Sequence, residues 1–363
     1  CDRFCDELVY RILWLFTSHH IIHHSSFITS LITDKAHHIT HHITSHHITH
    51  HSSLITPHHI TPHHITSHHI TFITHPAQCV TCLSEKIGLI EWVHNSEPLL
   101  RKLNTLRTLH GLPSCSKTAI QLQPDYKRAQ DCFNKGQKDL GLQIYFDAIM
   151  PACEPLLHEW LLLDYPAAGE WLRARELFTQ TTAVWCMTGY VIGLGDRHND
   201  NILIQKDGAV SHIDFDCLFE KGTILPIPER VPFRLTANFI DAFGVSGIEG
   251  AFRSTCELAL KCMRDNRDLI ISVLESLLYD PLMDWRTSYT EGSMRESDVF
   301  VRILKVIENR LRGVYGEKMI IPKKEDGVSN TGRHTELSVQ GQVDNVIRDA
   351  TDATNLARMY IGW

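Results

Sequence analysis

The alternation of apolar and polar positions predicts helices over much of the chain. The clearest apolar repeats at three- and four-residue spacing cover residues 178–192, 247–266 and 268–280. Two shorter runs, 201–205 and 209–215, favour strands, and the Lys-Asp-Gly sequence at 206–208 between them predicts a hairpin turn. Upstream, residues 78–95 predict two short strands with a glycine-containing turn region. The pattern therefore indicates a mostly helical domain with a few short strands.

Residues 1–77 follow neither pattern. Between His19 and His75 lie 19 of the 25 histidines, mostly as His-His pairs in units such as HHIT and SHHIT. Histidine-rich tracts can bind metal, which is the functional alternative. We favour a translated simple repeat, because the length of the unit varies along the segment. We expect residues 1–77 to be low-complexity sequence outside the fold, either disordered or an artefact of the gene prediction.

Composition limits the class of protein. A chain of 363 residues with 43% hydrophobic residues can hold two domains, or one large domain with appendages. The net charge of −7 does not favour a polyanion-binding surface. Eleven cysteines with one C-x-x-C pair, Cys79 and Cys82, indicate free thiols in a reducing compartment. No apolar run is long enough to span a bilayer. Because the first residue is not Met, we expect an incomplete N-terminus.

Candidate chemistry lies in the sequence GDRHNDN at 195–201, followed by HIDFD at 212–216. It contains Asp196, Asn201 five positions later, and Asp214 thirteen positions beyond that. Phosphoryl transfer needs such groups, since one oxygen orients the attacking hydroxyl and two ligands hold magnesium on the phosphates. The predicted hairpin folds Asp214 back toward Asn201. In the structural alternative, Asp196 caps a turn and Asp214 ends a strand.

The order of residues differs from that of ordinary protein kinases, which have H-R-D where this chain has D-R-H. With its flanking motifs, the stretch resembles the phosphatidylinositol-3-kinase-related protein kinases. The motifs that carry the resemblance are GLIEWV at 88–93, HEW at 158–160, GYVIGLGDRHNDNILI at 189–204, HIDFDCLFEKG at 212–222, PERVPFRLT at 228–236 and YDPLMDW at 279–285. The run at 337–363 is similar to the FATC segment that ends these kinases. The resemblance covers about residues 78–363 in colinear order and looks closest to the ATR checkpoint branch, with the ATM branch as its rival.

The resemblance implies an α+β fold of the protein kinase-like (PI3/PI4-kinase) type, with a mostly helical C-lobe and most of the N-lobe missing. It places the last N-lobe strand and the hinge at residues 78–93. It places the catalytic C-lobe at residues 94–330 and a truncated FATC domain at residues 331–363.

The resemblance also implies roles for individual residues. Asp196 matches the catalytic aspartate that orients the substrate hydroxyl, and His198 matches a histidine that contacts the transferring phosphate. Asn201 and Asp214 match ligands of Mg²⁺, with Mn²⁺ as an alternative ion. The residues that match the adenine-binding positions for ATP are Ile90, Trp92, Val93, Leu203 and Ile213. Taken alone, Trp92 is more typical of a core aromatic. Residues 216–236 match the activation loop.

The chain departs from the family pattern before Gly88. A phosphate-covering loop, a lysine that reaches the phosphates and its acidic partner belong there. The lysines in that region are Lys35 and Lys86, and neither lies in a suitable strand. Because one preorganised electrostatic contact contributes on the order of 10²–10³ in rate, we predict no measurable kinase activity for this polypeptide.

The sequence leaves three functions open. The first is a serine/threonine kinase of DNA-damage and replication checkpoints, acting in the nucleus on Ser or Thr followed by Gln. The resemblance implies an obligate regulatory partner protein, contact with DNA only through partners, and no membrane. The second is a phosphoinositide lipid kinase, against which the small positive excess of residues 217–236 argues. The third is a non-catalytic fragment.

Overall fold

The computed structural model describes residues 80–84, 87–278, 296–316, 319 and 336–361. The low-complexity segment 1–77 and the motif at 279–285 lie outside the described residues, as do Cys79 and the final two residues. The chain divides into two compact units, Cys1–Trp92 and Val93–Trp363.

In the first unit the structure describes an antiparallel hairpin. Strand β1 (Val80–Ser84) pairs with β2 (Ile87–Ile90), and Val80 lies opposite Ile90. The register shifts between Cys82 and Ser84, which indicates a bulge. The two predicted strands are therefore confirmed, although the second ends at Ile90 and not near residue 93.

The second unit is mostly helical. Its helices are α1 (Leu99–Leu109), α2 (Cys115–Asn134), α3 (Lys138–Ile144), α4 (Leu157–Asp164), α5 (Ala168–Ile192), α6 (Ala237–Ala242), α7 (Ala251–Asp265), α8 (Arg267–Leu278), α9 (Glu296–Arg312), α10 (Val339–Thr351) and α11 (Ala353–Ala357). A π-helical turn (Tyr145–Ile149) and two 3₁₀ turns (Met150–Cys153 and Lys221–Ile224) complete the set of described helical segments. The expectation of a mostly helical α+β architecture is confirmed. In the described part of the chain, no helix has the length and apolar character needed to cross a membrane.

Helix α5 is the centre of the second unit. Phe178 and Met187 on this helix are fully buried, and α7 packs along it. Phe178 stacks on Phe239 with ring centroids 5.7 Å apart, and Phe243 stacks on Phe252 at 4.7 Å. Aromatic rings bury large apolar areas, so this cluster anchors the long helix from whose C-terminal end the candidate site begins.

A three-stranded antiparallel sheet lies beside this core, in the order β3 (Ser96–Pro98), β4 (Ile202–Gln205) and β5 (Val210–His212). The predicted hairpin is confirmed, with Ile202 opposite His212. Its turn requires a glycine, because Gly208 has a φ of 98° and a Cβ there would lie 2.6 Å from the carbonyl oxygen of Ala174. The sheet therefore holds residues 201 and 213–214 at one end of the hairpin.

Candidate active site

The loop that contains Asp196 begins where α5 ends. Gly193 closes the helix in a left-handed conformation (φ 66°), and a Cβ there would lie 2.7 Å from the backbone nitrogen of Glu220. The backbone N–H of Gly195 then donates to the carbonyl oxygen of Cys217 at 2.7 Å. The loop is thus joined by its backbone to the segment that follows β5.

Asp196 and His198 form a polar pair on this loop. Nε2 of His198 lies 3.9 Å from Oδ2 of Asp196, and the side chains are 40% and 45% exposed respectively. Nδ1 of His198 accepts a hydrogen bond from the backbone N–H of Asp200 at 3.1 Å, which assigns the proton of the neutral ring to Nε2. The pair therefore presents a carboxylate and an N–H donor side by side at an accessible surface.

The hairpin brings Asn201 and Asp214 together, as predicted. Asn201 is buried, and its Nδ2 donates to the carbonyl oxygen of Asp196 at 2.9 Å. The backbone N–H of Ile213 donates to the carbonyl oxygen of Asn201 at 3.0 Å, which sets Asp214 next to it. Asp214 is exposed and left-handed (φ 60°) two residues beyond the end of β5, and its Oδ1 accepts from the N–H of Asp216 at 3.3 Å.

These two side chains suit a magnesium ion that also binds phosphate. With Nδ2 of Asn201 occupied by Asp196, its amide oxygen is the atom left for a cation. One amide oxygen and one carboxylate are hard oxygen ligands, and Mg²⁺ is usually held by one or two such groups plus substrate phosphates. In the residues that the structure covers, no cluster of three His, Cys, Asp or Glu side chains could hold an ion alone. The residues fit a metal that arrives with a nucleotide.

Arg197 is a central residue of the site that the sequence reasoning missed. Its side chain is 2% exposed and donates to three backbone carbonyls, those of Gly195 (2.8 Å), Ile213 (2.7 Å) and Asp214. Burial lowers the pKa of the guanidinium, while the nearby carboxylates of Asp196 and Asp214 oppose that shift. Through these hydrogen bonds Arg197 connects the loop that contains Asp196 to the loop that contains Asp214.

The five predicted adenine-binding residues are divided between the two units. Leu203 (1% exposed) lies on β4, and Ile213 is half-buried directly after β5, so both belong to the hairpin of Asn201. Val93 begins the second unit, whereas Ile90 and Trp92 belong to the first. Trp92 is 61% exposed, so the alternative that it is a core aromatic is wrong.

A second residue that the sequence reasoning missed is Glu229, in the segment 216–236. Its Oε1 accepts a hydrogen bond from the backbone N–H of Asp196 at 2.8 Å. Burial raises the pKa of this carboxyl to about 7, and the nearby carboxylate of Asp196 adds to the shift. The only sequence signal was the position of Glu229 in PERVPFRLT, which does not indicate what it contacts.

An open groove of about 860 Å³ lies beside Asp196 and His198. Its other walls include Ile120 and Gln123 of α2 and the apolar residues Leu225 and Ile227. The predicted catalytic pair therefore borders a space that is large enough for an extended peptide segment.

The sequence that forms this site matches a known protein family. Residues 65–287 match the phosphatidylinositol 3- and 4-kinase family. The chain belongs to that family. Residues 336–363 match the FATC domain, so the C-terminal helices α10 and α11 belong to a FATC segment. The resemblance inferred from the motifs is confirmed.

The relatives of this PI3/PI4-kinase-family chain include serine/threonine-protein kinases. It is 39% identical to the serine/threonine-protein kinase MEC1 of Candida albicans over 286 residues, which is 78% of the chain and 11% of that protein. It is 36% identical to the serine/threonine-protein kinase ATR of Arabidopsis thaliana over 78% of the chain and 10% of that protein. The chain thus spans about a tenth of the length of these relatives.

Solved structures show the same fold. The chain is similar to the FAT and kinase domain of CtTel1 with a TM-score of 0.60 and 31% identity, over 78% of the chain and 18% of that structure. The expected protein kinase-like fold with a C-terminal FATC segment is therefore confirmed.

Proposed function

We propose that this chain carries the catalytic lobe of an ATP-dependent serine/threonine protein kinase of the ATR type. The observation that carries the proposal is the arrangement of Asp196, Asn201 and Asp214 on two loops that Arg197 joins. The names of the relatives, which are serine/threonine-protein kinases, support the same reaction.

In this proposal Asp196 orients the substrate hydroxyl and accepts its proton, since its carboxylate borders the groove. The Nε2–H of His198 donates to the oxygen on which negative charge develops. Asn201 and Asp214 hold Mg²⁺, which neutralises phosphate charge when it is bound. Leu203 and Ile213 contact adenine, and the matching roles of Ile90, Trp92 and Val93 stay predictions.

We further propose that the substrate is a protein in which Gln follows the acceptor Ser or Thr, and that the enzyme acts in nuclear checkpoint signalling with a regulatory partner. The charge of residues 216–236, the activation segment, favours a peptide over a phosphoinositide. Lys221 forms an ion pair with Asp216 at 3.0 Å, and Arg234 is buried, so of the three basic residues at 217–236 only the half-buried Arg230 is left to meet a lipid headgroup.

The domain boundaries follow from this assignment. We propose a last N-lobe strand and hinge at residues 78–93, a catalytic lobe at 94–330 and a FATC domain at 331–363. We also propose that the 363-residue polypeptide by itself transfers no phosphate, because its sequence before Gly88 supplies no suitable phosphate-binding lysine.

Two measurements test the proposed function. Fluorescence anisotropy compares a labelled Ser-Gln peptide with a matched Ser-Ala peptide, and sedimentation tests phosphoinositide vesicles. We expect preference for the Ser-Gln peptide and no vesicle binding; the reverse result would favour the lipid-kinase alternative. The wild-type chain can also be tested for transfer of ³²P from ATP to the peptide. Transfer that is abolished by Asp196→Ala would contradict the proposed inactivity and would support the assignment of Asp196.

A further inference from the structure

Glu229 connects the activation segment to the loop that contains Asp196. Its own backbone N–H donates to the carbonyl oxygen of Gly222 at 2.9 Å, and its side chain turns inward. Oε1 then accepts the backbone N–H of Asp196 at 2.8 Å. One side chain from the activation segment therefore binds the main chain of the proposed catalytic residue.

Two glycines leave room for this carboxylate. A Cβ at Gly195 or at Gly222 would overlap Oε2 of Glu229. Neither glycine has the positive φ that would otherwise account for its presence. The absence of side chains at these two positions is what allows Glu229 to reach the Asp196 amide.

The backbone of Asp196 needs such a partner. Its φ of 57° is a conformation that non-glycine residues adopt rarely and that persists when surrounding contacts determine it. Asn201 binds the carbonyl side of this residue, and Glu229 binds its N–H. The two hydrogen bonds hold the peptide groups on both sides of the Asp196 Cα.

We propose that Glu229 is a positioning residue that fixes the main chain of Asp196 and so couples the activation segment to the catalytic loop. The inference rests on the proposed function of Asp196. The charged and titratable groups around the Glu229 carboxyl are Asp196, Arg197 and Cys217. Hydrogen bonds to an ionised acceptor are stronger than those to a neutral one, so the contact is firmest when Glu229 is deprotonated.

NMR of the whole 363-residue chain labelled with ¹⁵N-aspartate observes the Asp196 amide directly. Its resonance is assigned as the one that is lost in Asp196→Asn. We expect its chemical shift in the wild type to titrate with a midpoint near pH 7, the pKa of Glu229. In Glu229→Gln the titration disappears, and hydrogen exchange at this amide becomes roughly tenfold faster. Glu275→Gln is the matched control on an exposed glutamate of α8 and keeps the wild-type profile.

A wild-type Asp196 amide that exchanges as fast as an unprotected amide would overturn the proposal, even if the variant failed to fold. An unchanged exchange rate in a folded Glu229→Gln protein would overturn it as well. Neither measurement needs nucleotide or phosphoryl transfer. A negative result for the Glu229 contact therefore does not contradict the kinase assignment, and a failure to bind nucleotide does not contradict the Glu229 contact.

Discussion

At the scale of single residues, the buried Arg197 and the half-buried Glu229 hold the main chain of the site in place. Arg197 donates to carbonyls on both loops, and Glu229 accepts from the backbone N–H of Asp196. Placing a carboxylate in a partly buried position costs folding free energy, since burial disfavours the charged form. Such a cost at a functional contact is expected when geometry is selected ahead of stability.

Glu229→Gln should therefore change how stability depends on pH. The pKa of Glu229 rises from 4.5 to about 7 on folding, so the folded protein binds this proton more tightly than the unfolded chain. The wild type then loses unfolding free energy as the pH rises through that window, by roughly 1–3 kcal/mol from this group. Urea unfolding at pH 5 and pH 8 measures this loss of unfolding free energy. The loss should be smaller in Glu229→Gln than in the wild type, and in Glu275→Gln it should equal that of the wild type. Equal losses in all three proteins would contradict this sign.

At the scale of elements, the sequence predicts segments with a strong apolar repeat and misses those without one. Residues 178–192 were predicted as helix, but α5 begins ten residues earlier, at Ala168. From 168 to 177 only Ala174 is buried, so the first turns of α5 show no apolar face. The Asp196–Glu229 hydrogen bond joins residues 33 positions apart, and no local pattern encodes such a contact. The hairpin that presents Asn201 and Asp214 was predictable because its turn and strands are local.

The turn of that hairpin offers a test with a matched control. Gly208 and Gly136 both have positive φ (98° and 76°), but a Cβ at Gly208 would lie 2.6 Å from a backbone atom of Ala174, whereas a Cβ at Gly136 would face open space. Alanine at either position costs about 1–2 kcal/mol of backbone strain. Gly208→Ala should cost roughly 1–3 kcal/mol more because it displaces Ala174. Urea unfolding of both variants measures the difference, and equal destabilisation would contradict the close packing of this turn.

At the scale of the second unit, the FATC segment packs into the same compact unit as α5 and is not an appendage. Gln342 of α10 is fully buried, and its Nε2 donates to Oη of Tyr190 at 3.0 Å and to the carbonyl oxygen of Arg310 at 2.9 Å. Arg310 in turn pairs with Glu220 at the start of the activation segment. The motif resemblance indicated that a FATC segment is present, but not that a series of hydrogen-bonded polar side chains connects it to the site.

Gln342→Ala should destabilise the unit by roughly 2–4 kcal/mol, because it leaves buried partners of two hydrogen bonds unsatisfied and creates a cavity. Gln340→Ala removes the same side chain from an exposed position of the same helix and should change stability by less than about 0.5 kcal/mol. Thermal unfolding of the two variants checks this. A Gln342→Ala protein as stable as Gln340→Ala would show that the FATC contact contributes little.

The proposed phosphoryl transfer depends on Asn201 and Asp214, which would hold a divalent metal together with ATP. Binding of Mn²⁺–ATP to the 363-residue chain, followed by electron paramagnetic resonance of the Mn²⁺, measures this property. Asp216 is the matched control, because it is an exposed aspartate two residues from Asp214 and is paired with Lys221. We predict that Asp214→Asn weakens metal-dependent nucleotide binding by at least about tenfold, while Asp216→Asn changes it less than about twofold. Equal binding by the wild type and Asp214→Asn would contradict the proposed site.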